Sequence, residues 1–229
     1  MKSQAIERRD EGTVEIARDE LAREIAKGAA ALGLSLTSSQ VSALAAYVTL
    51  LAKWNRTYNL TAIREPARMV THHVLDSLAV LAHLPQDENA RLLDVGSGGG
   101  LPGIPLAIAR PDWQVSLIDP VHKKAAFLSQ AAIELGLTNV EAFAKRVEDL
   151  DSSAHYDIVI SRAFADLATF ATLAGAHVAK SGLLVAMKGV QPIEEIAHLP
   201  PQFEVVATPA IEVPGVDAAR HLVIMRAAA

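Results

Sequence analysis

The sequence predicts an α/β fold built on one seven-stranded, mostly parallel sheet. From Arg91 onward, short apolar runs alternate with helical patterns, and such β-α-β spacing is typical of parallel strands covered by helices on both faces. Only a turn-rich stretch over 208–219 separates the last two strands, so we expect them to form an antiparallel hairpin. Ahead of Arg91, apolar residues recur at helical intervals, and this predicts an N-terminal helical cap.

Three helices are expected in that N-terminal part. The first is indicated by apolar residues at helical intervals between residues 15 and 31. Ser38 or Ser39 is expected to cap the second, whose apolar stripe runs to about Asn55, and the third follows Pro66.

The chain is accordingly divided into two parts. Residues 1–33 are expected to form an N-terminal helical extension, frayed at 1–12, and residues 34–229 a main domain that includes the helical cap over 34–84. Strands are predicted at 91–95, 114–119, 140–144, 156–161, 182–187, 203–207 and 221–226. Helices of the sheet region are predicted at 102–110, 122–135, 165–178 and 192–198.

Composition excludes several classes of protein. Hydrophobic residues make up 51% of the chain, which argues against disorder, yet no uninterrupted apolar stretch could span a membrane. The first residues lack the apolar core of a signal peptide, so a cytoplasmic protein without a membrane partner is expected. The absence of cysteine excludes disulfides and a cysteine nucleophile, and the histidines show no metal-ligand spacing, so no metal is expected. The net charge of −5 mildly disfavours nucleic-acid binding, so any RNA contact must depend on local clusters.

The strongest functional motif covers residues 91–103. A short apolar run ends in Asp94 and is followed by four glycines in five residues. A buried strand turns in this way into a helix beneath a nucleotide-like ligand, because glycine lets the backbone lie close to the ligand. The acid-x-Gly-x-Gly-x-Gly form, with Gly96 and Gly98, is seen in S-adenosylmethionine methyltransferases, but a dinucleotide fingerprint, Gly-x-Gly-x-x-Gly, also begins at Gly98. The motif alone leaves the reaction open.

Two further strand ends are expected to hold an adenosine moiety. Asp119 closes the second strand, where a carboxylate can accept hydrogen bonds from both ribose hydroxyls in either cofactor class. The alternative is an aspartate that caps the helix beginning near Val121. After the third strand, the charged stretch over 144–149 is where adenine commonly contacts a backbone amide and an acid, although a solvated loop is equally credible.

Arg162 follows the fourth strand, at the edge that meets the cofactor crevice. An arginine cannot act as a base, but its fork can clamp a cofactor carboxylate or an RNA phosphate; the alternative is a surface ion pair. Methyltransferases acting on exocyclic amines often carry Asn or Asp, two prolines and an aromatic here. The stretch over 161–164 has neither the acid nor the prolines, so amine methylation is disfavoured.

Two polar motifs in the cap have open roles. The segment over 54–61 could hold a base, or it could form a polar plug between cap and sheet. His73, Asp76 and Ser77 lie close together on one predicted helix. A Ser-His-Asp triad is disfavoured because no nucleophile elbow surrounds Ser77, so a hydrogen-bonded lock under the glycine loop is the simpler interpretation.

Together these motifs resemble the bacterial small-subunit rRNA methyltransferase G family, also called glucose-inhibited division protein B. The similarity runs in order from Leu34 to Arg226, and its most distinctive parts are Gly-Leu-Pro-Gly-Ile-Pro from Gly100 and Ser-Arg-Ala-Phe from Ser161. The other matching stretches are Trp54–Asn55, Tyr58–Thr61, His73–Ser77, Asp94–Leu106, Arg146–Glu148, Lys188–Gly189 and Arg220–Val223.

The resemblance implies a class I S-adenosylmethionine methyltransferase fold, Rossmann-like, and methyl transfer from S-adenosylmethionine to N7 of a guanine in the 530 loop of 16S rRNA. It places cofactor contacts at five matching positions, namely Gly96, Leu101, Val147, Glu148 and Arg162, to which the motifs above add Gly98 and Asp119. Guanine N7 carries a free lone pair, so no proton must be removed first and no catalytic general base is assigned. The expected partner is 16S rRNA or the small ribosomal subunit, and candidate phosphate contacts are Arg56, Arg64, Lys123, Lys124, Lys145 and Lys188.

Two other functions remain open from the residues alone. A nicotinamide-dependent oxidoreductase would account for the dinucleotide fingerprint and Asp119, although Asp94, the terminal hairpin and the helical cap argue against it. A non-catalytic nucleotide-binding partner in ribosome assembly would bind cofactor or RNA without transferring a methyl group.

Overall fold

The computed structural model of the chain describes residues 18–151, 153–164 and 166–228. Its strands are β1 (Arg91–Val95), β2 (Gln114–Ile118), β3 (Val140–Phe143), β4 (Tyr156–Arg162), β5 (Val178–Lys188), β6 (Phe203–Ala207) and β7 (His221–Ala227). They form one sheet in the order β3-β2-β1-β4-β5-β7-β6. The first five strands run parallel, and β7 pairs antiparallel with both β5 and β6. The predicted parallel sheet with a terminal antiparallel hairpin is confirmed.

Helices precede the sheet and connect its strands. The first two are α1, over residues 18–31, and α2 (Ser38–Tyr58). A composite helix, here α3, is an α-helix over Pro66–Met69, a π-helix over Val70–Leu75, an α-turn over Asp76–Leu78 and a 3-10 helix over Ala79–His83. The later helices are α4 (Gly103–Ala109), α5 (His122–Glu134), α6 (Leu167–Ala174) and α7 (Ile193–Ala197). The predicted order of elements is therefore observed, although β5 begins earlier than predicted and α6 ends earlier, at a 3-10 turn.

The predicted cap of α2 is wrong. Neither Ser38 nor Ser39 caps this helix, because Thr37 does. The Gln40 amide donates to Thr37 Oγ1 at 3.2 Å, and Thr37 N donates to Gln40 Oε1 at 2.8 Å. This reciprocal capping box satisfies two amides at once, which a lone serine cap could not do.

The sheet is covered on both faces, and alternate residues of each strand supply the two cores. On β1, Leu92 faces the core shared with the cap, α4 and α5, whereas Leu93 faces the core shared with α6. The helix α1 joins the first core through the buried Ile25, and it crosses α3 so closely that a Cβ at Gly28 would overlap Leu75. The cap is thus packed directly on the sheet.

Three further expectations concern the N-terminal tail, membrane-spanning helices and metal sites. The frayed tail expected at 1–12 lies outside the described residues. Within the described ranges, every helix falls short of the length and apolarity that a membrane crossing requires. In the same ranges, no group of three or more His, Asp or Glu side chains is arranged to hold a metal ion.

Candidate cofactor crevice and adjacent cavity

Strand register brings three of the proposed site residues to one edge of the sheet. Val95 lies opposite Ile118 on β2, and Asp94 lies opposite Ile160 on β4. Gly96 directly follows Val95, and Asp119 directly follows Ile118. Gly96 and Arg162 in turn lie two residues after Asp94 and Ile160. These three residues therefore leave adjacent parallel strands at the same level. The strand order reverses between β1 and β4, which is where open α/β sheets bind their ligands.

The loop after β1 is hydrogen-bonded to the end of β2 on one side and is open to solvent on the other. The amides of Gly96 and Ser97 both donate to Ile118 O, at 2.9 and 3.1 Å. Gly96 is exposed, with φ at 74°, and a Cβ placed on it would have no atom within 4 Å. Gly98 is half-buried, whereas the Leu101 side chain is buried in the core and supports the loop from inside. The open space above Gly96 is a cradle that any side chain there would fill.

Asp94 is a fully buried carboxylate beneath this loop. Its Oδ2 accepts a hydrogen bond from the Gly103 amide at 2.9 Å, but its Oδ1 has no partner among the described residues. Burial raises the pKa of Asp94 from 3.8 to about 7, against the opposing effects of the Gly103 amide and the Arg162 charge. The carboxyl group is therefore poised between its charged and neutral forms near neutral pH.

Asp119 ties the end of β2 to the glycine loop. Its Oδ2 accepts from the Gly98 amide at 3.1 Å and its Oδ1 from the Val121 amide at 2.9 Å, while Lys124 Nζ lies 3.6 Å from Oδ2. The N-cap residue of α5, Val121, makes no side-chain cap bond, but its amide is bound by Asp119, so the alternative role at the start of this helix is seen in part. Asp119 is 3% exposed and also contacts the backbone of the crevice at Gly98.

The turn after β3 places Val147 and Glu148 at the same edge. They form a 3-10 turn with Asp149, in which the Val147 side chain is buried and that of Glu148 is exposed. Val147 O accepts from His177 Nε2 at 3.0 Å, which anchors the turn to the segment before β5. The arrangement leaves an exposed acid next to an anchored backbone.

Arg162 turns away from bulk solvent and towards the cap. Its Nη1 donates to His72 O at 3.2 Å and to Asp76 Oδ2 at 3.4 Å. Arg162 thus forms an ion pair, as the alternative interpretation expected, but the pair is partly buried and does not lie at the surface, because Asp76 is only 4% exposed. It joins the carboxyl end of β4 to α3.

The His73 motif is hydrogen-bonded, as the simpler interpretation predicted, but its hydrogen bonds are with the cap and Arg162 rather than with the glycine loop. Ser77 Oγ donates to the backbone oxygen of His73 at 2.6 Å, so no serine-imidazole pair exists. The His73 ring binds Thr61 Oγ1 through Nε2 at 2.7 Å and His72 O through Nδ1 at 2.8 Å. Burial and the neighbouring Arg162 charge lower the pKa of His73 from 6.5 to about 4, so the ring is neutral at pH 7.

The polar contacts of the segment over 54–61 lie within the cap rather than between cap and sheet. Asn55 is buried, and its amide donates to Ile63 O at 3.0 Å while its oxygen accepts from the Thr61 amide at 2.9 Å. Trp54 packs against Phe127, with ring centroids 5.5 Å apart. These contacts fix the loop after α2, and the half-buried indole of Trp54 packs against the core.

A cavity of about 480 Å³ adjoins the crevice at Arg162. Its charged lining consists of Arg162, Lys188 and Arg220 against the single carboxylate of Asp76, together with three histidines, of which His73 is neutral. This volume lies within the range of small-molecule sites. A chain with a net charge of −5 thus carries a locally cationic cavity at the edge of its sheet.

One contact to the glycine loop was missed in the sequence. Tyr47 on α2 is fully buried, and its hydroxyl donates to Gly99 O at 2.6 Å. Burial raises the pKa of Tyr47, so the hydroxyl stays protonated and remains a donor. Tyr47 follows Leu44 by three residues on the apolar stripe of α2, and an aromatic hydroxyl on such a stripe was the available sign.

We expect Tyr47→Phe to lower the free energy of unfolding by about 1–3 kcal/mol, because the Gly99 carbonyl would lose its buried donor. Urea unfolding followed by circular dichroism measures this change. Tyr58→Phe is the matched control, because Tyr58 is only half-buried on the same helix and its hydroxyl bonds no other described residue. Equal losses in both variants would contradict a specific role for the Tyr47 hydroxyl.

Comparison with known proteins identifies the family. A family model described as "GidB: rRNA small subunit methyltransferase G" matches residues 40–223, which is most of the chain. The chain belongs to the rRNA small subunit methyltransferase G family. A ribosomal RNA small subunit methyltransferase G from Nitrosospira multiformis is 53% identical over 214 residues, covering 90% of this chain and 98% of the relative. Another from Laribacter hongkongensis is 53% identical over 203 residues, covering 89% and 97%.

Similarity to solved structures agrees with the fold. The crystal structure of coclaurine N-methyltransferase bound to N-methylheliamine and SAH has a TM-score of 0.54 at 11% identity, covering 86% of this chain and 74% of that chain. At this identity the similarity shows only the class I S-adenosylmethionine methyltransferase fold. Membership of the methyltransferase G family makes the chain an rRNA methyltransferase with S-adenosylmethionine as cofactor. It decides between the two cofactor classes that the glycine loop left open.

Proposed function

We propose that this chain transfers a methyl group from S-adenosylmethionine to N7 of a guanine in the 530 loop of 16S rRNA. The observation that carries the proposal is the position of Arg162. This residue ends β4 at the same level as Gly96 in the crevice, and it also lines the cationic cavity. A cofactor in the crevice and a nucleotide in the cavity would therefore meet at one residue. The specific base and atom come from the family resemblance.

The crevice residues fit the cofactor. The open space above Gly96 and the half-buried Gly98 admit a ligand close to the backbone, with Leu101 supporting the loop from the core. We assign Asp119 to the ribose hydroxyls, because its buried carboxylate accepts from two amides and offers further lone pairs. We assign the turn at Val147 and Glu148 to the adenine.

Arg162 and Asp94 are assigned to the other end of the cofactor. The Arg162 fork suits a carboxylate, and the unpartnered Oδ1 of Asp94 suits a cationic group nearby. S-adenosylmethionine supplies an electrophilic methyl group on a sulfonium sulfur when it is bound. These assignments divide the crevice into an adenosine end at β2 and β3 and a charged end at β1 and β4.

The cavity residues position the base rather than remove a proton. Both buried titratable groups of the lining are engaged within the fold, since Asp76 accepts from two arginines and His73 bonds Thr61 and His72. We therefore assign no general base, which is consistent with a nucleophile that carries a free lone pair. Catalysis would come from orientation and from a dry, charged pocket.

The RNA would approach over the cap and the loops at the sheet edge. Of the candidate phosphate contacts, Arg56, Arg64, Lys123 and Lys145 are exposed. Two candidates are already paired: Lys124 Nζ lies 3.6 Å from Asp119, and Lys188 Nζ lies 2.7 Å from Glu195. We propose that residues 34–229 form the methyltransferase domain, with residues 1–33 as an extension. Because its substrate belongs to the ribosome, the enzyme is expected to act in the cytoplasm.

Cofactor affinity is expected to rise between pH 6 and pH 8, by up to about tenfold. Asp94 has a pKa of about 7 in the free protein because it is buried. A cationic ligand favours the carboxylate and lowers this pKa, so binding releases a proton and strengthens as pH rises through 7. Calorimetry in two buffers of different ionisation enthalpy measures both the affinity and the proton release.

The control for this titration is Asp94→Asn, which has no ionisable group at position 94. Its cofactor affinity should be independent of pH between 6 and 8. Proton uptake on binding to the unmodified protein would contradict the assignment of Asp94, as would an unchanged pH dependence in Asp94→Asn.

The proposed reaction is tested with tritiated S-adenosylmethionine and 16S rRNA from a strain that lacks its own copy of this enzyme. Naked RNA and small subunits are assayed separately. We expect about one methyl group per rRNA on one of these substrates, at a nucleotide in the 530 loop where borohydride and aniline cleave 7-methylguanine. Cofactor and RNA binding without transfer would instead support the non-catalytic partner, and cleavage elsewhere would contradict the proposed target.

A further inference from the structure

Asp76 joins three separate parts of the chain. It lies on α3 and is 4% exposed. Its Oδ2 lies 3.4 Å from Arg162 Nη1 at the end of β4, and its Oδ1 lies 2.8 Å from Arg220 Nε just before β7. One buried carboxylate therefore holds two arginines that come from distant parts of the sequence.

The π-turn before Asp76 adds a second anchor for Arg162. In an α-helix the Asp76 amide would donate to His72 O, but here it donates to Thr71 O and His73 O. The carbonyl of His72 is thereby freed for Arg162 Nη1 at 3.2 Å. Arg162 also lies 3.3 Å from His73 Nδ1, but that nitrogen donates to His72 O at the shorter distance of 2.8 Å, so it is no acceptor. Local irregularities of this kind in helices often occur at functional sites.

The two arginines keep donors free on the cavity side. Arg220 Nη1 donates to Ala219 O at 2.9 Å, and Arg162 Nη1 is held as described. Among the described residues, the Nη2 atoms of both side chains have no protein acceptor, and the side chains are 24% and 25% exposed. Both residues line the cavity. Fixed guanidinium groups with free donors are suited to the phosphate oxygens of RNA.

We infer that Arg220 contacts a backbone phosphate of the RNA substrate and that Asp76 is the residue that positions it, while the same carboxylate also holds Arg162, which we assign to the cofactor. The inference rests on the proposed function of the cavity. Asp76 touches neither cofactor nor RNA in this account. It acts through the arginines, by fixing their direction and by offsetting the repulsion between their charges in a partly buried place.

The test is a double-mutant cycle on methyl transfer to 16S rRNA, with Arg220→Ala, Asp76→Asn and the two combined. Arg220→Ala should raise the KM for RNA about tenfold, which is the effect of one charge-assisted hydrogen bond, and leave the Kd for S-adenosylmethionine unchanged. It should also make the plot of log RNA affinity against log salt concentration less steep, by the amount expected for the loss of about one phosphate contact. Arg226→Ala is the matched control on β7, because Arg226 pairs with Glu204 on β6 outside the cavity lining and should change neither quantity.

The combined variant decides whether Asp76 positions Arg220. If it does, Arg220→Ala should have almost no further effect on the RNA KM once Asp76→Asn is present. A purely structural Asp76 would lower the melting temperature while Arg220→Ala kept its full tenfold effect, and that additivity would overturn the inference. If Asp76→Asn does not fold, Arg220→Gln decides alone: a raised RNA KM with unchanged cofactor Kd supports the RNA contact, and an unchanged KM overturns it. Failure of the proposed function would look different, because the unmodified protein would then transfer no methyl group.

Discussion

Gly96→Val is expected to abolish measurable binding of S-adenosylmethionine, with a loss of affinity of roughly 100-fold or more. The loop at Gly96 is exposed with φ at 74°, and the space that a side chain would enter contains no protein atom within 4 Å. A β-branched side chain would therefore occupy the proposed cofactor space, and it would also strain the backbone by about 1–3 kcal/mol. Isothermal calorimetry measures the affinity, and urea unfolding measures the strain.

The chain offers a closely matched control in Gly33→Val. Gly33 lies in the turn after α1, is exposed and also has φ at 74°, and a Cβ placed on it would likewise have no atom within 4 Å. Valine there should lower stability by a similar amount and leave cofactor affinity unchanged. Undiminished affinity in Gly96→Val would count against the placement of the cofactor, and equal losses in both variants would attribute the effect to backbone strain.

Asp119→Asn should weaken the binding of both S-adenosylhomocysteine and adenosine by the same factor, about 10- to 100-fold. The substitution keeps the size of the side chain but removes the charge that we assign to the ribose hydroxyls. It also replaces one of the two oxygens that accept from Gly98 and Val121. Because adenosine lacks the amino-acid end, an equal loss for both ligands places the contact on the nucleoside.

Asp149→Asn is the control for this charge change. Asp149 is an exposed carboxylate in the turn after β3, near the same edge of the sheet. Its neutralisation should alter both affinities less than about twofold, since exposed charges interact weakly. A loss for S-adenosylhomocysteine without a loss for adenosine would show that Asp119 contacts a different part of the cofactor.

The sheet was predictable because its strands are short buried runs bounded by turn residues. The hairpin β6–β7 followed from the prolines and glycine between those strands. The parallel pairing of β1 with β2 and with β4 fixes which residues share the crevice edge. That Gly96, Asp119 and Arg162 would emerge together could therefore be inferred from strand ends alone.

The cap was predictable only in outline. The spacing of Met69, Val70, Val74 and Leu78 fits an α-helix, whereas α3 contains a π-turn there. The reason is non-local, because the carbonyl that the π-turn frees is used by Arg162, 90 residues further along the chain. Likewise, the hydrogen bond from Tyr47 to Gly99 joins residues 52 apart. Local periodicity cannot carry such information, since it reports only which face of a helix is apolar.

The cationic cavity shows why net charge was a poor guide to the partner. The net charge of the whole chain is −5, whereas Arg162, Lys188 and Arg220 converge on the cavity from two strand ends and the loop before β7. Such convergence depends on topology, which brings the ends of β4 and β5 next to the start of β7. Only a local cluster matters for phosphate contact, so composition alone would have argued in the wrong direction.

The central claim is that the crevice at the ends of β1 to β4 holds the cofactor and opens into the cavity at Arg162. A crystal structure of the protein with S-adenosylhomocysteine tests it most directly. We expect the ribose hydroxyls within hydrogen-bond distance of Asp119, the adenine beside Val147 and Glu148, and the homocysteine end near Arg162. A ligand bound elsewhere on the chain, or one bound in the reverse direction with its adenine at Arg162, would contradict the account.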